Sequence, residues 1–123
     1  MEELAREIEK SKFILTLPDN WDDEGAVGYQ QETWHRATSF LWVCEHMYCN
    51  ITTFHIPVPR ITPGPDGTID IYWKNKNREL LLNIPVSPDE HASFYGDNTL
   101  GQQIKGKFDT SDVSEWLIFW LVQ

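Results

Sequence analysis

Four carboxylates crowd one indole in the stretch Leu17-Pro18-Asp19-Asn20-Trp21-Asp22-Asp23-Glu24-Gly25-Ala26. Asp19, Asp22, Asp23 and Glu24 offer the oxygen ligands that a hard divalent cation prefers, but the twelve-residue calcium loop with its closing glutamate is absent. The other chemistry open to this cluster is recognition. Anionic side chains around a large amphipathic ring suit a cationic protein surface, with Trp21 as the buried anchor and the acids speeding encounter and pairing with Arg or Lys. A structural role competes with both: Asp19 or Asn20 caps a turn, Trp21 buries its ring, and the remaining acids are solvated.

Elsewhere the chemistry is thinner. Cys44, His46, Cys49 and His55 are zinc-binding residue types, yet they lack a Cys-x-x-Cys pair, and residues 44 and 46 face different sides of a helix. His35 and His91 have no nucleophile elbow to serve, and no glycine loop near a lysine cradles phosphate. The segment Asp70-Ile71-Tyr72-Trp73-Lys74 lacks the acid-any-lysine ending of a restriction-type nuclease core. The sequence therefore predicts no catalytic residue, no metal and no cofactor. Tyr72, Tyr95, Lys105 and Lys107 are the types that make a stacking surface for single-stranded nucleic acid. Against that, 19 acids face 10 Lys and Arg, a formal charge of -9, whereas affinity for a phosphate backbone comes from cations. No direct contact with nucleic acid is expected.

These residues need elements to position them, and 123 residues suffice for one domain with one core. Glu2 to Lys12 reads as a short solvated helix, with Phe13-Ile14-Leu15 to dock it, and Pro18 ends the element. Asp19 to Tyr29 is a loop. Between Gln31 and Cys49 the apolar Trp34, Ala37, Leu41, Cys44 and Tyr48 recur three and four apart, widened by Phe40, Val43 and Met47, which predicts a core-facing helix. Pro57, Pro59, Pro63 and Pro65 exclude a helix, so His55 to Thr62 is expected as an extended edge segment.

Ile69, Ile71 and Trp73, then Leu80, Leu82 and Ile84, alternate with the period of half-buried strands, joined by Lys74-Asn75-Lys76-Asn77 as an antiparallel hairpin. Weaker strands are expected at Ala92 to Gly96 and Gln103 to Phe108. Val113 to Val122, capped by Asp112 with Glu115 as its partner, is apolar nearly all round and must be buried or form a homodimer seam through Trp116 and Trp120; a strand competes for the same residues. The expected fold class is α+β. A single domain, residues 1–123, packs N-terminal helices on an antiparallel sheet of three to four strands, with a C-terminal apolar helix.

No apolar run reaches the roughly 20 residues of a membrane span, and the charged start Met1-Glu2-Glu3-Leu4-Ala5-Arg6-Glu7 is no secretory signal. A cytoplasmic location, in a bacterial cell or in its host if the gene is phage-borne, is expected. Cys44 and Cys49 then stay reduced.

The Leu17 to Ala26 stretch and Pro59-Arg60-Ile61-Thr62-Pro63-Gly64-Pro65-Asp66-Gly67-Thr68-Ile69-Asp70-Ile71-Tyr72-Trp73 together resemble a group of small uncharacterised bacterial and phage proteins. That group pairs a Leu-Pro-x-x-Trp-Asp-x-x-Gly-Ala start with a Pro-x-x-Asp-Gly-Gly-x-x-x-x-Trp hairpin. The likeness runs from about Leu17 to Ile84; Asp23 stands where a Gly is frequent, and Thr68 replaces the second hairpin Gly. The resemblance implies a helix-plus-antiparallel-sheet fold and an association with mobile elements, where small acidic proteins serve as inhibitors or antitoxins.

Together these readings predict a non-enzymatic binding protein. Asp19, Trp21, Asp22, Asp23 and Glu24 form its partner-binding surface, and its partner is the basic surface of a larger protein such as a nuclease or a CRISPR-type effector, with carboxylates in place of phosphates. The competing readings are an antitoxin-like or homodimeric structural protein, and a small metal-binding enzyme using the acidic loop with His35.

Overall fold

The computed structural model describes residues 2–112 and 115–123. Helices and a five-stranded antiparallel sheet make an α+β fold. Helix α1 (Glu2–Ser11) buries Leu4, Ile8 and Ser11, spaced to face one side. A 3-10 turn at Lys12–Thr16 then seats Ile14 in the core and leaves Phe13 exposed. Ser11 joins α1 to the next helix: its hydroxyl donates to Ile8 O at 2.6 Å and accepts from Trp34 Nε1 at 2.8 Å.

Helix α2 (Gln31–Thr52) buries Trp34, Ala37, Phe40, Leu41, Cys44 and Tyr48 as read from the sequence, but Val43, expected to widen that stripe, is exposed and Met47 is only partly buried. It runs past the expected end at Cys49, through β-branched Ile51 and Thr52. Local bonds offset the propensity cost there: Thr52 Oγ1 donates back to Tyr48 O at 2.8 Å, and Thr53, left-handed at φ 65, donates its N–H to Cys49 O at 2.9 Å.

The strands are β1 (Arg60–Pro63), β2 (Ile69–Lys74), β3 (Arg78–Ile84), β4 (Ala92–Asn98) and β5 (Gln103–Phe108), paired in sequence order as a meander. The count is five where three to four were expected, because the proline-rich segment pairs as a true edge strand. Pro63 is tolerated there since β1 has a neighbour on one side only. Glu7 Oε2 accepts the Ile61 N–H at 3.0 Å and ties this edge to α1. Every second residue points inward: Ile61, Ile69, Ile71, Trp73, Leu80, Leu82, Ile84, Ala92, Phe94 and Phe108 form one core with the three helices.

Residues Glu115–Val122 form helix α3, not a strand. Val113 and Ser114, and with them the predicted start of that helix, lie outside the described residues. Leu117, Ile118 and Leu121 are buried against α2 and β3. The helix is fastened by the β2–β3 turn, where Asn75 Nδ2 donates to Leu121 O and Arg78 Nη1 to Trp120 O, both at 2.9 Å. Trp120 needs Gly96 beneath it, because a β-carbon there would stand 2.8 Å from the indole. Trp116 lies edge-on to Phe94 at 5.2 Å and keeps half of its surface exposed. Among the described residues, no helix is long and apolar enough to cross a membrane.

Candidate functional site

The acidic loop is a built object. Asn20 closes its base, its N–H donating to Ala26 O at 2.5 Å while its Oδ1 accepts the Gly25 N–H at 2.7 Å. Asp22 Oδ1 accepts two amides, Glu24 at 2.9 Å and Ala26 at 3.1 Å, and Asp19 Oδ1 accepts Gly28 N–H at 2.7 Å. Asn20 and Asp23 sit in the left-handed region, each at φ 60, which Asn and Asp tolerate better than most residues. The four acids thus divide by role. Asp19 and Asp22 hold the loop's shape. Asp23 and Glu24 are exposed, and among the described residues their carboxylates meet no donor.

Trp21 does not bury its ring, contrary to the structural alternative: it is 39% exposed, with Tyr29 tilted beside it at a centroid distance of 6.4 Å. Tyr29 in turn donates its hydroxyl to Gly64 O at 2.8 Å. A β-carbon on Gly67, which adopts φ +80, would lie 3.4 Å from Gly28 O, so the loop rests directly on the Pro63 to Gly67 turn. The acidic loop and the Pro63 to Gly67 turn are therefore in contact, joined by Tyr29, while Ile69, Ile71 and Trp73 beyond the turn are buried in the core. The exposed Asp66, left-handed at φ 55, stands on the adjoining turn.

Hydrogen bonds from the Glu24 and Ala26 amides hold the Asp22 carboxyl below the usual aspartate range. Burial pushes the Tyr29 phenol up; the neighbouring Trp21 indole opposes this, and the charges of Asp22 and Asp70 add to it. At neutral pH Asp22 is a fixed negative charge and Tyr29 a neutral donor, so neither is poised for proton transfer. The loop can present charge and an aromatic face on a rigid frame, which suits binding.

The remaining candidates do not assemble into chemistry. Cys44 is sealed in the core and burial drives its thiol up to about 12, so it is no thiolate near neutrality. His46, Cys49 and His55 line a shallow pocket with Trp42 and Glu45. Glu45, which the sequence did not single out, is buried and accepts both Ile56 N–H at 3.1 Å and His55 Nδ1 at 2.9 Å. Among the described residues, no three His, Cys, Asp or Glu side chains converge as metal ligands. Both cysteines are free. His35 and His91 are exposed on separate elements.

Tyr72, Tyr95, Lys105 and Lys107, scattered in sequence, share the sheet face that no helix covers. The residues missed there are Arg60 and Leu81, which the strand register places in the same row. Comparison with protein-family profiles, curated proteins and solved structures finds no significant match for this chain.

Proposed function

We propose that this chain is a non-enzymatic protein-binding module that sets Trp21, Asp23 and Glu24 against the cationic surface of a larger protein. Asp19 and Asp22 contribute by holding the loop in shape and, for Asp22, by a permanent charge. The observation that supports this reading is a large aromatic ring left 39% exposed on a loop whose backbone is locked by its own side chains. Pre-organisation of that kind lowers the ordering cost of association, and an exposed indole rimmed by charge is the usual form of an interface hot spot. The resemblance to mobile-element proteins favours, by analogy, a nucleic-acid-handling defence protein as the partner, with carboxylates occupying phosphate positions.

The test is affinity capture from native host lysate with the wild type, Trp21→Ala, and the double variant Asp23→Asn/Glu24→Gln, which removes both charges and keeps a residue suited to the left-handed backbone at position 23. We expect a specific protein to be retained at low ionic strength, to elute as salt rises, and to be lost in both variants. Retention by all three chains alike would remove this loop from the interface.

A further inference from the structure

The uncovered face of the sheet carries four cations, Arg60, Lys74, Lys105 and Lys107, and three acids, Asp70, Glu79 and Asp97, and its central row holds cations alone among its charges. Register aligns Arg60, Tyr72, Leu81, Tyr95 and Lys105 in one row across all five strands, with no acid among them. Lys107, opposite Ser93, lies in the next row. Among the described residues Arg60, Lys105 and Lys107 make no ion pair, nor do Lys10 and Lys76 elsewhere, whereas Arg6, Lys12 and Lys74 each have a partner and Arg36 and Arg78 donate to backbone carbonyls. Tyr95 is 41% exposed, and Tyr72 and Leu81 are half-buried beside it.

Acids occur only in the flanking rows. Asp70 accepts from Asn83 Nδ2 at 2.8 Å, Glu79 meets Lys74 Nζ at 3.5 Å, and Asp97 stands opposite Gln103. Protection of a free edge accounts for lysines on β5, but it places no tyrosines. With strands about 4.8 Å apart, the row from Arg60 to Lys105 spans roughly 19 Å. An acidic peptide would call on the cations alone, whereas aromatic faces between cations match an anion that also carries flat rings.

We propose that this face binds a short single strand of nucleic acid, its bases stacking on Tyr95 and Tyr72 across Leu81 and its phosphates meeting Arg60, Lys105 and Lys107. The formal charge of -9 opposes this at long range. Salt screens charges more than about 8–10 Å away, and the local row is cationic, so binding is weak and without sequence preference.

Anisotropy of a labelled thymidine homo-oligomer of about eight nucleotides, titrated with the full chain from about 0.1 M salt upward, tests the proposal. The comparison ligands are a duplex of equal length and inorganic polyphosphate. We expect the single strand to bind best, with log K falling against log salt at a slope of about -2, from roughly 0.7 for each of three phosphate contacts. Tyr95→Ala should weaken binding about tenfold or more, and the double variant Lys105→Ala/Lys107→Ala should flatten the slope by more than one unit. Circular dichroism unchanged in these surface variants secures the comparison. Absence of any single-strand signal at about 0.1 M salt overturns the proposal. So does polyphosphate binding equally well with Tyr95→Ala silent, which would reduce the face to an anion site that reads charge alone.

Discussion

Asp22 and Asp23 are neighbours of the same residue type with opposite roles, and the difference lies in what each carboxylate meets. Asp22 accepts two amides within its own loop, whereas Asp23 faces solvent. Its folded-state pKa being lowered, ionised Asp22 contributes stability above the ordinary aspartate range, about pH 3.9, which is lost as pH falls through the lowered folded value. Amide chemical shifts of Glu24 and Ala26 should therefore hold steady from neutral pH down to about 4 and move below it. In Asp22→Asn, which keeps an acceptor but cannot titrate, that acid limb should disappear. Asp23→Asn/Glu24→Gln, which keeps a residue suited to the left-handed backbone at position 23, should leave the thermal midpoint unchanged, while Asp19→Ala, losing the Gly28 N–H bond, should lower it.

Two elements depend on one residue each for where they end. The segment after α2 turns on Glu45, whose buried carboxylate accepts Ile56 N–H and His55 Nδ1. Glu45→Ala should cost about 1–3 kcal/mol in urea unfolding, because the Ile56 amide is left buried without an acceptor. His55→Ala should cost less, as His55 keeps 57% of its side chain in solvent. Helix α3 rests on the absent side chain of Gly96. Gly96→Val should displace Trp120, lower stability by about 1–3 kcal/mol and weaken the near-ultraviolet circular dichroism of the packed indole. Neither dependence was legible in the chain: Glu45 looks like any helical glutamate, and Gly96 like any strand glycine, until a partner ten or more residues away is in place.

At the scale of the molecule, apolar surface and charge are both sorted by face. Leu117, Ile118 and Leu121 pack into this chain's own core, leaving Trp116 and Val122 as the outward apolar residues of α3. Sedimentation across concentration should thus show a monomer, with Trp116→Ala sedimenting identically; a concentration-dependent dimer abolished by that substitution would restore the seam between two copies. Acids gather on α1 and on the Trp21 loop, while the unpaired cations Arg60, Lys105 and Lys107 share the open sheet face. The net charge reported one number for an acidic loop and a sheet face of mixed charge whose central row is cationic.

The helix stripe from Trp34 to Tyr48 and the alternation of Ile69-Ile71-Trp73 and Leu80-Leu82-Ile84 were readable because side-chain direction follows local backbone period, and each set is buried as that period requires. The crowding of acids around Trp21 was equally plain, being contiguous. Strand register and the meeting of distant loops were not, since they depend on long-range packing that local period does not specify. Only the fold joined the Trp21 loop to the Asp66 turn through Tyr29, separated Asp22 from Asp23 in role, and drew Arg60, Tyr72, Tyr95 and Lys105 into one row.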